Sequence, residues 1–429
     1  MRVMNYHEAI SELQGLTKFG INLGLERITS LLAYLGNPQE KIRCIHIGGT
    51  NGKGSVVSML ASILQTAGYR VGAFTSPHLV SYVERYTING LPIAEVEFAR
   101  YLAEVLEYYE KVRQEIGEAP TEFEVLTAMA FLYFAREKVD VLLLEVGLGG
   151  DIDSTNVISK PLLSIITNVS LDHCAYLGDT VQDIAEKKSG IVKEGCPVIT
   201  ASTDPDALET IRQVATRKKA PLYEVYAESS WSLIEVTPEG QYLKLDSVGN
   251  LFLPLQGEHQ LVNAATAVLA VDVLNTGVFR ITEDALKKGL SSVSWPGRLE
   301  KLNDSPDLYI DGAHNPAGLE ALASWLLRSR SRYSRVILII GMLDDKDQSA
   351  VSLLEPYTDM VIVTRPFSAR AENWDLLTEY FQQQAKVILL LNEPTEAVQK
   401  ALDLASSTDL ILVTGSLYLI GQIRQMFQC

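Results

Sequence analysis

The sequence predicts an α/β protein of two domains: a P-loop-containing domain with a mainly parallel sheet, followed by a smaller Rossmann-like α/β domain. The 429 residues exceed the usual size of a single domain. Short apolar runs rich in β-branched residues alternate with helical patterns, which is typical of a parallel sheet. Because this alternation begins afresh late in the chain, we expect domains at residues 1–296 and 297–429.

Local patterns predict the elements of the first domain. Strands are predicted at residues 42–47, 139–145 and 161–167. A helix is predicted from Val56 to Gly68, because apolar residues recur there at helical spacing. The dipeptide Asn89-Gly90 predicts a hairpin, and residues 221–254 predict short strands of a small antiparallel sheet.

A glycine-rich segment, "GGTNGKGS" at 48–55, lies between the first predicted strand and the helix. Backbone N–H groups and the helix dipole favour a phosphate at such a junction, and Lys53 adds a positive charge. The common pattern G-x-x-x-x-G-K-[ST] would need glycine at 47 and a hydroxyl at 54, where the chain has Ile47 and Gly54. The segment therefore predicts a phosphate site with its own spacing, and a structural turn is the alternative.

The second domain is predicted from five apolar runs, each followed by a helical segment. The runs are "DLYIDGAHN", "RVILIIG", "MVIVT", "KVILLL" and "DLILVTG". They span about 130 residues, which is near the usual domain size. The linker is predicted at Trp295–Arg298.

Composition limits the classes of function. The formal charge of −16 opposes binding to nucleic acid or an anionic membrane. No apolar run approaches the ~18 residues of a membrane span, and the N-terminal segment lacks a signal-peptide core, so we expect a cytoplasmic protein. Cysteines at 44, 174, 196 and 429 show no zinc-site spacing, so structural metal and disulfides are not expected.

Nine segments in one order resemble the folate branch of the Mur-ligase superfamily, folylpolyglutamate synthase and dihydrofolate synthase. Besides "GGTNGKGS", they are "NLGLERI", "FTSPHLVSYVER", "PTEFEVLTAMAF", "LEVGLGGDIDSTN", "TNVSLDH", "EKKSGIVKEG", "GEHQLVNAA", "WPGRLE" and "DGAHNPAG". The last of these lies in the second predicted domain. The resemblance thus covers most of the chain and explains the unusual spacing of the first glycine-rich loop.

The resemblance implies a reaction in which ATP phosphorylates a carboxylate and the amino group of L-glutamate attacks the acyl phosphate. The first domain would then be an ATPase domain. This agrees with elementary chemistry, because a carboxylate is a poor acyl donor until its oxygen becomes part of a phosphate leaving group. The implied substrates are ATP, L-glutamate, and folate or dihydropteroate, and we expect a monomer without nucleic-acid or membrane partners.

The resemblance further implies Mg²⁺, with two ions expected. The implied ligands are Ser76, Glu145, His173 and Lys188, with the lysine carried as a carbamate. With Lys53, the last three form the predicted catalytic set. Glu145 also has an independent argument, because a carboxylate ending an apolar strand lies where open parallel sheets bind ligands. The alternatives are a strand-end acid for Glu145, a wall residue for His173 and a solvated pair for Lys187 and Lys188.

Further site residues follow from family positions. The predicted ATP contacts are Asn51, Gly52, Lys53, Gly54, Ser55, Asn263, Arg298, Asp311 and His314. The predicted folate contacts are Leu25, Glu26, Arg27, Thr121, Phe123 and Glu124. Two of these have structural alternatives, since Arg298 could form a linker salt bridge and Phe123 could belong to the core.

We expect a bifunctional enzyme that glutamylates both dihydropteroate and tetrahydrofolate, and several other functions are alternatives. The first alternative is a folylpolyglutamate synthase alone. The two activities differ in the shape of the substrate pocket, which sequence motifs do not reveal. A cell-wall Mur ligase is disfavoured, because such chains usually carry another domain before the ATP loop. A P-loop switch would need no "DGAHNPAG" segment, and a non-catalytic binding module would have no use for charged residues at strand ends.

Overall fold

The computed structural model describes residues 4–16, 24–381 and 387–427. Residues 22 and 23 of the "NLGLERI" segment and Cys429 therefore lie outside the described residues. In the described part of the chain, no helix has the length and apolarity needed to cross a membrane.

Two compact units make up the chain. Unit 1 comprises Met1–Pro254 and Val262–Val293, and unit 2 comprises Leu255–Leu261 and Ser294–Cys429. The grouping of Leu255–Leu261 with unit 2 has no counterpart in the sequence pattern, because this segment begins a continuous helix. The domain bounds 1–296 and 297–429 stay a prediction.

The α-helices alternate with strands along most of the chain. In chain order they are α1 Tyr6–Gly15, α2 Glu26–Tyr34, α3 Lys53–Thr66, α4 Glu95–Leu106, α5 Tyr109–Ile116, α6 Glu122–Arg136, α7 Cys174–Leu177, α8 Val181–Ser189, α9 Pro205–Arg217, α10 Val225–Glu228, α11 His259–Asn275, α12 Glu283–Ser291, α13 Pro316–Ser329, α14 Pro394–Leu404 and α15 Leu417–Met426. The 3₁₀ helices within the described residues are Pro38–Lys41, Tyr82–Arg85, Ser154–Val157, Arg330–Arg332, Gln348–Tyr357 and Trp374–Phe381.

Unit 1 is built on an eight-stranded sheet. Its strands are β1 Cys44–Gly48, β2 Val71–Phe74, β3 Tyr86–Ile88, β4 Leu91–Pro92, β5 Val141–Glu145, β6 Leu163–Ile166, β7 Val198–Thr200 and β8 Leu222–Glu224. The order is β4-β3-β2-β5-β1-β6-β7-β8, and all neighbours from β2 to β8 are parallel. β1, β5 and β6 are buried throughout, as expected for apolar strands covered on both faces.

The predicted hairpin is confirmed, since β3 and β4 pair in antiparallel fashion. Its turn residues Asn89 and Gly90 have φ values of 49° and 74°, the left-handed backbone that this dipeptide favours. The prediction of an antiparallel sheet at 221–254 is only partly correct. Strands β9 Trp231–Thr237, β10 Gly240–Leu245 and β11 Gly249–Leu253 form it, whereas β8 pairs parallel to β7 in the large sheet. A three-residue strand is too short for its pattern to identify its partner.

Unit 2 contains a six-stranded sheet that confirms the predicted second α/β unit. Its strands are β12 Glu300–Asp304, β13 Asp307–Ile310, β14 Val336–Ile340, β15 Met360–Thr364, β16 Val387–Leu391 and β17 Leu410–Thr414. The order is β12-β13-β17-β14-β15-β16, with only β12 antiparallel among the described strands. All five predicted runs become strands, so the predicted fold class is confirmed.

Each unit has its own apolar core. In unit 1, helix α6 is buried along nearly its whole length against β2 and β5, and Phe131 and Phe134 are fully buried. In unit 2, Leu338 and Leu412 of the central strands pack with Leu326 of α13. These cores fix the carboxyl ends of the parallel strands, where open α/β sheets place their ligands.

Candidate active site at the carboxyl edge of the unit 1 sheet

The Gly48–Ser55 loop joins β1 to α3 through backbone that only glycine adopts easily. Gly49 and Gly52 have φ values of 135° and 86°. A Cβ on Gly49 would lie 2.0 Å from the Thr167 hydroxyl oxygen, and one on Gly52 would lie 2.6 Å from Oδ1 of Asn263. The loop therefore needs glycine at both positions for its path as well as for any close approach of a ligand.

Lys53 begins α3, and its ammonium folds back over the loop. Its Nζ donates to the carbonyl oxygens of Gly49 and Thr50, at 3.1 Å each. Gly54 and Ser55 are buried in the first turn of the same helix. A lysine at the N-terminal end of a helix, where the first N–H groups have no partner within the helix, is the arrangement that binds phosphate.

The end of β6 supports the loop from one side. Asn51 N donates to Oδ1 of Asn168 at 2.7 Å, and the Thr167 hydroxyl donates to Asn51 O at 2.6 Å. The side chain of Asn263 lies directly against Gly52 and leaves no space there for a methyl group. The structure thus brings together the ATP-site residues that the sequence predicted within unit 1.

Lys188 lies at the same place, although it is far away in sequence. It is only 5% exposed, and its Nζ donates to Gly49 O at 2.9 Å, the carbonyl that Lys53 also contacts. Burial, reinforced by the positive charge of Lys53, lowers the pKa of the Lys188 ammonium to about 7. Lys187 instead pairs with Asp151 at 3.2 Å and is 41% exposed. The interpretation of the two lysines as a solvated pair is therefore wrong for Lys188.

Glu145 ends β5 beside the loop that carries Ser76. The glutamate is 5% exposed, and its Oε2 accepts a hydrogen bond from Ser76 N at 3.2 Å. A partly exposed strand-end acid is thus not what the structure has. Within the described residues, no group of three or more His, Cys, Asp or Glu could hold a metal ion by protein ligands alone.

His173 immediately precedes α7 and has a left-handed backbone with φ 53°. Its side chain is 38% exposed, and Nε2 lies 3.8 Å from Oδ1 of Asp172. Asp172 in turn is one of the acidic groups that act on Lys188. The loop after β6 therefore reaches the neighbourhood of Lys188 through this aspartate.

The predicted folate residues lie on α2 and α6, and two of them pair with each other. Arg27 is buried, and its Nε donates to Oε2 of Glu124 at 3.0 Å, while Nη1 reaches Glu118 at 2.8 Å. Glu124 also closes a capping box with Thr121 at the start of α6. These contacts link the two helices, whereas Glu26 at the start of α2 is exposed.

Phe123 is partly buried and packs against the unit 1 core, beside Phe74 at a ring separation of 6.1 Å. Leu25 packs against the same core. The Phe123 ring also abuts Gly147, where a Cβ would lie 2.5 Å from its Cζ. Phe123 therefore packs against both the core and the loop after β5, and its role as a folate contact stays a prediction.

Sequence reasoning missed Asp153, although it lies within a quoted motif. It is 5% exposed, accepts from Leu148 N at 2.8 Å and from Thr155 N at 2.9 Å, and lies close to Gly147 opposite Phe123. Burial raises the pKa of the Asp153 carboxyl. The only signal in the sequence was a further acid, two residues after Asp151 and eight after Glu145, and this spacing gives no indication of burial.

Three predicted residues of unit 2 cluster around Gly312. Asp311 follows β13, and its carboxylate accepts from Leu299 N and Ala313 N, both at 2.9 Å. Nδ1 of His314 donates to Gly312 O at 2.7 Å, and a Cβ on Gly312 would lie 2.2 Å from Nη1 of Arg298. Among the described residues, Arg298 has no ion pair, so the geometry does not support a linker salt bridge. Arg298 belongs to unit 2.

Fold and site together define an α/β protein that binds nucleotide phosphates and carries a second α/β unit. Comparisons with known proteins give the class a name. The Mur ligase middle domain matches residues 47–271, and the Mur ligase glutamate ligase domain matches residues 297–417. The chain belongs to the folylpolyglutamate synthase/dihydrofolate synthase family of Mur ligases, which confirms the resemblance.

Relatives support this membership over the full length. A dihydrofolate synthase/folylpolyglutamate synthase of Bacillus subtilis is 38% identical, with 98% of each chain covered. A folylpolyglutamate synthase of Lacticaseibacillus casei is 34% identical, again with 98% of each chain covered. The structure of a Mycobacterium tuberculosis folylpolyglutamate synthase complexed with ADP aligns with a TM-score of 0.90 at 32% identity, covering 99% of this chain and 98% of that one.

Proposed function

We propose that this chain is an ATP-dependent ligase that adds L-glutamate to tetrahydrofolate and to dihydropteroate. The observation that carries the proposal is the convergence of Lys53 and Lys188 on one carbonyl of a glycine-rich loop. The Lys53 ammonium at a strand-to-helix junction suits a polyphosphate substrate, since it supplies positive charge where phosphate charge develops. The buried Lys188 amine beside it suits a second role, described below. Family membership supplies the acid and the amine that such a site would join.

The reaction we propose has two steps. A carboxylate oxygen of the folate attacks the γ-phosphorus of ATP, which forms an acyl phosphate and releases ADP. The neutral amino group of L-glutamate then attacks the acyl carbon, the bond from that carbon to the phosphate oxygen breaks, and the amine loses a proton. The products are an amide, ADP and phosphate.

Residues of both units have proposed roles in binding ATP. Lys53 and the backbone of Asn51, Gly52, Gly54 and Ser55 would hold the phosphates from unit 1. Asn263 lies against this loop at Gly52 and is a further proposed contact from unit 1. From unit 2, we propose Arg298, Asp311 and His314, which surround Gly312.

The donor set at the carboxyl edge fits Mg²⁺. The buried carboxylate of Glu145 and the adjacent Ser76 hydroxyl are the oxygen ligands that this ion prefers, and one or two carboxylates with substrate phosphates usually suffice. His173 and Lys188 complete the proposed set. When bound, Mg²⁺ would neutralise charge on the phosphates during transfer.

Lys188 is the proposed carbamylated residue. Carbamate formation needs an uncharged amine, whose nitrogen bonds to the carbon of CO₂ and then loses a proton. The buried position of Lys188, with a pKa near neutrality, favours the uncharged amine, whereas Lys187 is held by a carboxylate. The modification would turn a cation into an anion able to bind a second Mg²⁺.

Folate would bind along α2 and the start of α6. Phe123 offers an apolar ring face beside Gly147, and Leu25, Glu26 and Thr121 flank it in our proposal. Because Arg27 and Glu124 pair with each other, we propose that they shape this pocket together. The expected monomer stays a prediction.

Phosphate release from ATP with Mg²⁺ and L-glutamate tests the function directly. We would run it without an acceptor, with dihydropteroate and with tetrahydrofolate. The proposal predicts release with each acceptor and little without one. Dependence on tetrahydrofolate alone would leave tail extension, the activity named for the L. casei relative. Release indifferent to both acceptors would contradict a ligase and favour a switch.

A further inference from the structure

Two loops at the carboxyl edge of the unit 1 sheet pack so closely that two glycines at their contact leave no space for a Cβ atom. The Gly147–Asp151 loop follows β5, and the Lys188–Gly190 turn ends α8. A Cβ on Gly150 would lie 2.7 Å from Lys188 O, and one on Gly190 would lie 2.3 Å from the Asp151 Cα. Real Cβ contacts are longer, so neither glycine could carry a side chain without displacing the other segment.

Asn156 ties the two segments to each other. Its Nδ2 donates to Asp151 O at 2.9 Å and to Gly190 O at 3.2 Å, one carbonyl from each segment. The residue is 7% exposed, and its Oδ1 is buried and accepts no hydrogen bond from any residue in the described ranges. Its side chain therefore acts through the amino group alone.

The same bridge fixes the backbone on both sides of Lys188. Asp151 N donates to Lys187 O at 2.8 Å, and Gly190 N donates to the same carbonyl at 3.2 Å. Lys188 consequently lies between Lys187, whose carbonyl accepts from Asp151 N, and Gly190, whose carbonyl accepts from Asn156, while the Lys188 Nζ reaches Gly49 O at 2.9 Å. Losing the bridge would free the turn that aims this amine.

We propose that Asn156 is a positioning residue, which holds the Lys188 amine on the Gly48–Ser55 loop by clamping the turn after α8. The kinetic consequence rests on the proposed function, but the position of the lysine does not. Each effect therefore has its own measurement.

The first measurement uses the two adjacent lysines as an internal ratio. Wild type, Asn156→Asp and Asn156→Ala are acetylated briefly with acetic anhydride in bicarbonate-free buffer without substrates. A glutamate-specific protease then releases residues 187–194, in which fragmentation separates Lys187 from Lys188. Asp is isosteric but cannot donate to two carbonyls, and Ala removes the bridge without adding charge. We expect the Lys188 to Lys187 ratio to rise at least about fivefold in both variants, through local opening of the turn.

The second measurement is steady-state kinetics on the same proteins. Substitution of a residue that orients a functional side chain typically lowers activity by about 10–100-fold. We therefore expect kcat to fall by a factor in that range in both variants. The KM for ATP should change by less than about threefold, because the Lys53 contacts are untouched. Asn250→Asp is the matched control, since Asn250 is exposed on β11 of the small antiparallel sheet.

A labelling ratio and a kcat both within about twofold of wild type, in variants with an unchanged melting temperature, would overturn the proposal. If Asn156→Asp does not fold, Asn156→Ala decides the outcome alone. A changed ratio in an enzyme without ligase activity would keep the positioning role and remove only the proposed function.

Discussion

The two parallel sheets follow the same strand-helix pattern, but their buried charges differ. At the carboxyl edge of unit 1, Glu145 and Lys188 are each 5% exposed, and Lys188 donates to a backbone carbonyl shared with a second amine. In unit 2, the buried Asp409 meets Arg335 at 2.7 Å, and Arg330 meets Asp359 at 2.9 Å. A buried group with a perturbed pKa, such as Lys188, is typical of functional sites, whereas neutralised pairs such as Arg335 and Asp409 stabilise a fold.

This contrast predicts that charge changes in unit 1 alter chemistry, whereas charge changes at the pairs of unit 2 alter stability. Lys53→Ala should give the largest effect. We expect kcat/KM to fall about 1,000-fold, because a preorganised positive charge is removed from the phosphates. Phosphate release measures the loss, and Lys187→Ala, which removes a half-exposed amine that pairs with Asp151, should stay within about threefold of wild type. Equal losses in both variants would contradict the specific role of Lys53.

Within unit 2, Arg298 and Arg335 allow a proposed ATP-site arginine to be compared with an ion-paired one. Arg298→Ala should keep the fold but lower kcat/KM by about 100-fold, since a fork of donors to phosphate is lost. Arg335→Ala should lower the free energy of unfolding by about 2 kcal/mol, because Asp409 is left buried without its partner. Turnover per folded molecule should stay normal in that variant. Denaturant titration measures the free energy of unfolding of both variants, and steady-state kinetics measures their turnover. Unchanged turnover in Arg298→Ala would remove that residue from the site.

Gly289 tests how firmly unit 1 supports helix α3, which begins at Lys53. Helix α12 packs on α3 so closely that a Cβ on Gly289 would lie 2.5 Å from the Ile63 Cα. Gly289→Ala should therefore destabilise the protein by about 2 kcal/mol through overpacking. Gly318→Ala in α13 is the matched change in unit 2, where the nearest atom would be 3.1 Å away. We expect a smaller loss there in thermal unfolding, and equal losses would contradict the close seating of α12.

Lys188→Met should abolish activity and yet stabilise the fold near neutral pH. The folded pKa of about 7 lies below the ordinary value of 10.5, so the unfolded state binds more protons between these values. Stability of the wild type therefore rises with pH over this range, and the charge penalty is complete below about pH 7. We expect Lys188→Met to gain about 1 kcal/mol or more at about pH 6.5, with a smaller gain at about pH 9. Lys187→Met should show no such pH dependence, and a destabilised Lys188→Met at the lower pH would contradict the penalty.

Local patterns predicted the strands well, because the parallel strands are buried on both faces and become continuous apolar runs. The Asn89-Gly90 turn needed no tertiary information, since its backbone angles are a property of the dipeptide. The pairing of β8, in contrast, could not be predicted without tertiary information. A three-residue strand carries no pattern of its own, so the neighbouring sheet decides where it pairs.

The site was predictable only as far as motifs mark single residues. Nothing in "EKKSG" distinguishes the buried Lys188 from the exposed Lys187, because one helical step places one against the sheet edge and the other beside Asp151. The bridging role of Asn156 could not be predicted for a related reason. Its two partners are backbone carbonyls, which every sequence has.

Isotope transfer from the acceptor to phosphate is the decisive measurement for the proposed activation of a carboxylate. Folate labelled with ¹⁸O in its reacting carboxylate is incubated with ATP, Mg²⁺ and L-glutamate, and the released phosphate is analysed by mass. An acyl phosphate predicts one ¹⁸O in each phosphate, because the oxygen that attacked phosphorus leaves with it. Phosphate without label, at one equivalent per amide formed, would contradict activation of the carboxylate by this site.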